Sequence, residues 1–305
     1  MRFAESTALP VTAPYRLDLT VAVLRRFSTN LVDVVAPDGT HLRAHDYGAG
    51  ARFVVAVRQR SADTLDVRVD AAGALDHAVA LVRRTLGVDR RPTHFASAAA
   101  SLPWLAPIAG RMHGMRPPRY ATLWEACVNA IVFQQVSIHA AGAILGRVVR
   151  TLGTSLTIDG TQLHAFFCPA ALLASDDATL RWAGLSVAKI ATLRRVANEL
   201  ADGSLLEADL EPLASAAIAE RLCAIKGIGP WTAAVILLRG FGRLDVFPQN
   251  DSGVARSLRV LTTEPIDVHA ALAILAPEEG LLYYHLLLAR LEASGLVSGA
   301  TRDGL

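Results

Sequence analysis

The sequence predicts an α+β protein: a small N-terminal antiparallel β-sheet domain with a helix, followed by a larger all-α domain. Three observations carry this. Residues 64–69 alternate, with Leu65, Val67 and Val69 on one side and Asp66 and Arg68 on the other, the period of a half-buried strand. Residues 31–35 and 53–57 are short β-rich runs, separated by Pro37-Asp38-Gly39 and Gly48-Ala49-Gly50 turn signals. From Thr122 onward the apolar positions recur at helical spacing instead.

In chain order, the first unit spans residues 1–95. Residues 76–86 place apolar side chains on one helical face, so at least one helix accompanies the sheet. Residues 101–120 form a connector punctuated by proline and glycine. The second unit, residues 96–305, has its first strong helix signal at Thr122, a capping residue ahead of an apolar-periodic segment that runs to about residue 149. Shorter helical patterns follow at 169–174, 178–183, 187–201, 212–224, 230–240, 252–261, 268–276 and 281–294. Residues 231–238 are apolar on all sides, which places that helix inside the domain.

Hydrophobic residues make up 52% of the 305 and charged residues 19%, enough apolar surface for a sizeable core and against disorder. A net charge of +2 neither requires nor excludes a polyanionic partner. The distribution is uneven. Across residues 221–259 there are six basic residues (Arg221, Lys226, Arg239, Arg243, Arg256, Arg259) against Asp245 and Asp251. A solvated helix face explains that equally well. Cys127, Cys168 and Cys223 are scattered and odd in number, which suits reduced thiols rather than disulfides or a metal site. No N-terminal run reads as a signal peptide, and no apolar run approaches the ~20 residues of a membrane span. A cytosolic protein with no membrane partner is expected.

Residues 222–256 are the most informative stretch. Lys226-Gly227-Ile228-Gly229 lies between two helical patterns. Its glycines permit positive φ and leave no Cβ between main chain and ligand. Pro230 opens the next helix, where its missing N–H costs nothing. The free N–H groups of that turn and the positive end of the helix dipole suit a phosphate. An ordinary helix–turn–helix corner would use the same residues. Further on, Asn250-Asp251-Ser252 presents one carboxylate. Asp251 suits a helix N-cap, and it equally suits stabilisation of positive charge in a transition state.

Three segments, in this order, resemble the helix-hairpin-helix DNA glycosylase superfamily, and within it the AlkA-type 3-methyladenine DNA glycosylase II group. NAIVFQQVSIHAAGAI, residues 129–144, resembles the helix whose glutamine-containing turn faces the minor groove. IKGIGPWTA resembles the hairpin, and DVFPQNDSGVAR the loop that ends in the essential aspartate. The likeness covers about residues 120–297, with the hairpin unit at about 212–240. It extends more loosely to YRLDLTVAV, residues 15–23, which looks like the family's opening strand.

The resemblance implies base excision from double-stranded DNA carrying alkylated bases. Asp251 would be catalytic, and Lys226, Gly227, Ile228 and Gly229 would hold the DNA backbone, with lysine standing where family hairpins usually carry proline. Gln135 would be the wedge that fills the gap left by a flipped base. Trp231, Tyr284 and Phe133 would line the base pocket. Relatives that also cut the backbone carry lysine where this chain has Trp231, so the resemblance implies a monofunctional enzyme. A relative's stacking tryptophan aligns with Gly280, which implies a different aromatic floor. No cofactor and no side-chain metal site is implied; a monovalent cation could sit on the Cys223, Ile225 and Ile228 carbonyls. A monomer in the bacterial cytosol or nucleoid fits these expectations. Two other classes stay open: a non-catalytic DNA-damage-binding protein, and an oxidised-purine glycosylase with lyase activity.

Overall fold

The computed structural model describes residues 3–27, 29–46, 52–262 and 265–299; the Gly48-Ala49-Gly50 turn signal lies outside them. Strands β1 (Glu5–Pro10), β2 (Asp33–Val35), β3 (His41–Asp46), β4 (Arg52–Ser61) and β5 (Thr64–Val69) form one antiparallel sheet. Their order is β1-β5-β4-β3-β2. Leu65, Val67 and Val69 are wholly buried, as the alternation requires. In β4 the run Phe-Val-Val-Ala-Val buries both faces. Phe53, Val55 and Val57 join the main core, while Val54 and Ala56 face a smaller cluster with Leu42 and Ala44.

That second face is covered by a hairpin the helical spacing gave no hint of. Strands β6 (Ser155–Ile158) and β7 (Thr161–His164) turn at Asp159 and Gly160, both at positive φ. Ile158 and Leu163 pack onto Leu42, Ala44, Val54 and Ala56.

The first helix corrects an expectation. Residues 15–23 do not open the sheet as a strand; α1 (Leu17–Arg25) is helical, and β1 precedes it. The alternation of apolar residues there serves two cores at once. Leu17, Val21 and Leu24 face the sheet and the main core, while Leu19 and Val23 face a second cluster. Spacings of three and four on two sides of one helix look like alternation along the chain.

The next helices are α2 (Leu75–Leu86), α3 (Phe95–Ala100), α4 (Ala106–Arg111), α5 (Leu123–Val132) and α6 (Ile138–Leu152). The connector thus holds two short helices. The segment expected as one helix over 122–149 is two, and the break has a local cause. Ser137 caps α6 by accepting the Ala140 N–H at 3.2 Å, and Gln135 takes φ 53° just before it. At the other end, Thr122 caps α5 as its sequence position predicts, accepting the Glu125 N–H at 3.1 Å. Beyond the small hairpin come α7 (Pro169–Ala174), α8 (Asp177–Trp182), α9 (Val187–Ala201), α10 (Glu207–Leu210), α11 (Ser215–Cys223) and α12 (Pro230–Ile236). A π-helical turn, Leu237–Phe241, extends α12; α13 (Ser252–Leu261), α14 (Val268–Leu275) and α15 (Gly280–Ala293) complete the chain. Among the described residues no single helix is long and apolar enough to cross a membrane.

A buried ionic cluster fastens the sheet to α5. The Arg43 guanidinium of β3 donates to Asp33 Oδ1 at 2.8 Å and also to Glu125 Oε2. His41 Nε2 lies 3.1 Å from the same Asp33 oxygen. Burial alone would raise the Asp33 pKa; Arg43 and His41 reverse that and hold it below the usual carboxylate range. Burial raises Glu125, and Arg43 offsets only part of the effect. Arg43→Met should leave Asp33 as a buried, uncompensated charge and lower the unfolding free energy by roughly 3–5 kcal/mol. Urea denaturation measures this, and a loss below about 1 kcal/mol would show that the cluster does not fasten the two parts.

Candidate active site

The hairpin between α11 and α12 is built from two glycines with different duties. Gly227 takes φ 105°, and a Cβ there would run into Thr192 Oγ1. Only glycine fits. Gly229 caps α12 at φ −103°, ψ 179°, and a Cβ there would meet open space. Between them the Ile228 side chain is buried, anchoring the turn, and its N–H bonds the Ile225 carbonyl at 3.0 Å. Pro230 stands at the start of α12, as expected. Lys226 is exposed, and its carbonyl accepts from Arg195 at 3.2 Å.

Much of the local positive charge is internal. Arg239, in the π-helical turn, is 1% exposed and donates to the Val23 and Leu24 carbonyls at the end of α1. Its guanidinium lies 4.9 Å from the Tyr120 ring centre. It thereby ties the C-terminal end of α1 to the helix that follows the hairpin. Arg243 and Arg221 donate to main-chain carbonyls, Leu213 and Ser204 respectively. Of the six basic residues counted along this stretch, Lys226, Arg256 and Arg259 are exposed.

Asp251 is both a cap and a presented carboxylate. Oδ1 accepts the Gly253 and Val254 N–H groups at 2.7 and 3.0 Å, starting α13. Oδ2 accepts the Trp231 indole N–H at 3.0 Å. Three donors therefore fix the plane of a half-buried carboxylate. Trp231 touches the site through this bond, from the first turn of α12. Gly253 keeps space open: a Cβ there would lie 2.9 Å from Asp251 Oδ1 and 3.3 Å from an Arg290 guanidinium nitrogen. The rival carboxylate, Asp245, is exposed in the preceding loop.

The loop between α5 and α6 meets the hairpin from the other side. Gln134 Nε2 donates to the Gly227 carbonyl at 3.0 Å and to Thr232 Oγ1 at 2.8 Å. Gln135, next in sequence, is exposed in the left-handed conformation. One glutamine fastens the loop and the other projects from it. Phe133 is half-buried, stacked against Phe27 at 6.4 Å, with the Arg26 guanidinium 4.8 Å from its ring centre. Lys189 bonds the Val132 carbonyl at 2.8 Å, and burial lowers its pKa.

One aromatic expectation changes. Tyr284 is not a cleft residue: its ring is fully buried in the second core, and its hydroxyl donates to the Leu238 carbonyl at 3.0 Å. The half-buried Tyr283, one position earlier on α15, is the tyrosine that shares its electrostatic surroundings with both Arg26 and Arg290. Gly280 has no space for any side chain, since a Cβ would lie 2.7 Å from the Val246 carbonyl.

Arg26 and Arg290 were not anticipated. Both flank Asp251 electrostatically, from α1 and α15. Burial lowers the Arg290 pKa, while Tyr283 and Asp251 favour its charge. The available signal for Arg26 was a basic pair ending an apolar segment, which marks a helix C-terminus. Among the described residues no group of three histidine, cysteine, aspartate or glutamate side chains could hold a metal. The arrangement offers one oriented carboxylate beside aromatic rings and two guanidinium groups, suited to opposing a charge that develops during bond cleavage.

Residues 128–266 match the HhH-GPD superfamily base excision DNA repair protein family. The chain is 33% identical over 186 residues to the probable bifunctional transcriptional activator/DNA repair enzyme AlkA of Mycobacterium tuberculosis, covering 60% of this chain and 36% of that protein. It is 31% identical over 141 residues to DNA-3-methyladenine glycosylase 2 of Escherichia coli, 45% of this chain and 48% of that one. The chain spans between 36% and 60% of the length of these and other curated relatives it matches. Its fold is similar to that of a 3-methyladenine DNA-glycosylase from Archaeoglobus fulgidus, with a TM-score of 0.77 at 22% identity, over 94% of this chain and 99% of that one.

The two glycines should separate in a stability test. Gly227→Ala forces a side chain into positive φ and against Thr192, at a cost of roughly 2–4 kcal/mol. Gly229→Ala should cost less than about 1 kcal/mol. Thermal melting distinguishes them, and equal losses would contradict the assignment of their duties.

Proposed function

Since this chain carries an HhH-GPD domain over residues 128–266, we propose that it is a monofunctional DNA glycosylase that excises alkylated bases from duplex DNA. The observation that carries the reading is the half-buried Asp251 carboxylate, fixed by the Gly253, Val254 and Trp231 N–H groups. An N-alkylated purine is already a cationic leaving group and needs no strong acid. As the N-glycosidic bond breaks, positive charge builds on the deoxyribose. Asp251 stabilises that charge and orients the water that adds to C1′. The products are the free base and an abasic site.

The remaining residues bind and shape. Gly227, Ile228 and Gly229 offer main chain to a phosphate, with Lys226 in solvent beside them. Gln135 fills the gap in the stack once the base has turned out. Trp231, Tyr283 and Phe133 surround the base. Trp231 stands where a lyase would need an amine, and the Lys189 amine is tied to the Val132 carbonyl. At the C-terminal end of α11, the Cys223 carbonyl, with those of Ile225 and Ile228, could hold a monovalent cation, which would add positive charge beneath the phosphate. The enzyme acts as a monomer at the chromosome.

Base release from methylated duplex DNA tests this. Asp251→Asn should lower the single-turnover rate by at least about 100-fold while duplex binding persists. Equal release by both proteins would mean that another group does the chemistry. Binding tests the hairpin separately. Duplex affinity should fall at least tenfold, roughly, between about 50 and 200 mM salt. Gly229→Ala, which leaves the fold intact, should weaken binding several-fold by standing between main chain and phosphate; unaltered affinity would remove the hairpin from the interface.

A further inference from the structure

Gln135 stands in a backbone conformation that its own chemistry does not favour. It takes φ 53°, left-handed for a residue that is not glycine, and it is exposed. Such a conformation persists only where the surroundings hold it. Three ties hold this loop. Before it, the Val132 carbonyl accepts from Lys189 Nζ at 2.8 Å. After it, Ser137 accepts the Ala140 N–H and starts α6. Between them, the Gln134 amide donates to the Gly227 carbonyl at 3.0 Å and to Thr232 Oγ1 at 2.8 Å.

The loop and the hairpin rest on one helix. Lys189, Thr192 and Arg195 follow at spacings of three along α9, which keeps them to one side of it. Lys189 holds the loop. Thr192 packs so closely against the hairpin that a Cβ on Gly227 would lie 2.0 Å from its Oγ1. Arg195 donates to the Lys226 carbonyl. Gln134 then bonds loop and hairpin to each other directly. Its amide nitrogen carries two hydrogens, and both are used inside the protein. One of the acceptors, Thr232, is buried in the first turn of α12, next to the Trp231 whose indole N–H bonds Asp251.

Turning a base out of the duplex costs stacking, and an inserted side chain offsets part of that cost. The offset is largest when the side chain is already ordered at the right distance from the rest of the interface. We propose that Gln134 is a positioning residue that sets Gln135 at a fixed distance from the hairpin main chain, so that filling the gap and gripping a backbone phosphate become one event. Gln134 acts through Gln135 and touches no reacting atom. This role rests on the glycosylase reading above, which gives Gln135 and the hairpin those duties.

The test measures affinity for a duplex carrying a tetrahydrofuran abasic analogue and for the same duplex undamaged, at one salt concentration. The ratio of the two isolates gap filling, because phosphate contacts contribute to both. Gln135→Ala should lower the ratio. Gln134→Met, similar in shape but without donors, should lower it at least about fivefold, and the variant combining Gln134→Met with Gln135→Ala should go no lower than Gln135→Ala alone. Gln134→Glu keeps an acceptor beside the Thr232 hydroxyl but has no donor for the Gly227 carbonyl, and should match Gln134→Met. Gln134→Ala carries the comparison if the methionine variant does not fold. A residue that merely packs would weaken binding to both duplexes alike. A ratio unchanged in Gln134→Met or in Gln135→Ala, or losses that multiply in the combined variant, would overturn the proposal. A natural chain with no preference for the analogue would overturn it as well, and base release from methylated duplexes by that chain then decides whether the glycosylase reading falls with it.

Discussion

The arrangement depends on a charge that has been taken out of water. Arg43 points from the sheet into the core, where Asp33 and Glu125 share its guanidinium. A buried pair of this kind is weak as a source of stability but demanding in geometry. It fixes strand β3 against α5, and α5 delivers Phe133, Gln134 and Gln135 at its far end. Helix α1 is placed by the same docking, pressed between two apolar clusters and tied by Arg239 to the turn beyond α12. The surroundings of Asp251 are therefore assembled from both parts of the chain. Arg26 comes from α1, Phe133 from the end of α5, Trp231 from α12, Asp251 from α13, and Tyr283 and Arg290 from α15.

Asp251 shows how one side chain can hold two duties without conflict. Capping occupies one oxygen with two main-chain donors, and the second oxygen takes only the indole N–H. The carboxylate is thus oriented before any substrate arrives, so no energy of reorganisation is needed as charge develops. A single carboxylate suffices when the leaving group carries its own charge.

What the sequence made legible was local. The alternation in β5, the Thr122 cap, the tight turn at Gly227 and the Asp251 cap are each decided within a few residues. What escaped it was decided by packing at a distance. Residues 17–25 alternate like a strand because their helix is buried on two sides. The hairpin at Asp159-Gly160 turns on a local Asp-Gly pair, but its two strands are only four residues long and lie between helices, too short for alternation to stand out. Tyr283 and Tyr284 differ by one position, and only the docking of α15 leaves the first half-buried while the second is wholly buried and bonds the Leu238 carbonyl. The local excess of basic residues looked like a binding face, yet Arg239 lies wholly inside, where its charge joins helices.

The central claim is electrostatic: Asp251 favours a positively charged sugar. Affinity for duplexes that carry a cationic pyrrolidine in place of one deoxyribose, set against the neutral tetrahydrofuran analogue, measures it directly. The natural chain should bind the cationic duplex at least tenfold more tightly, roughly, and Asp251→Asn should bring the two affinities close together. Equal affinities in the natural chain, or a preference that survives the substitution, would contradict the account.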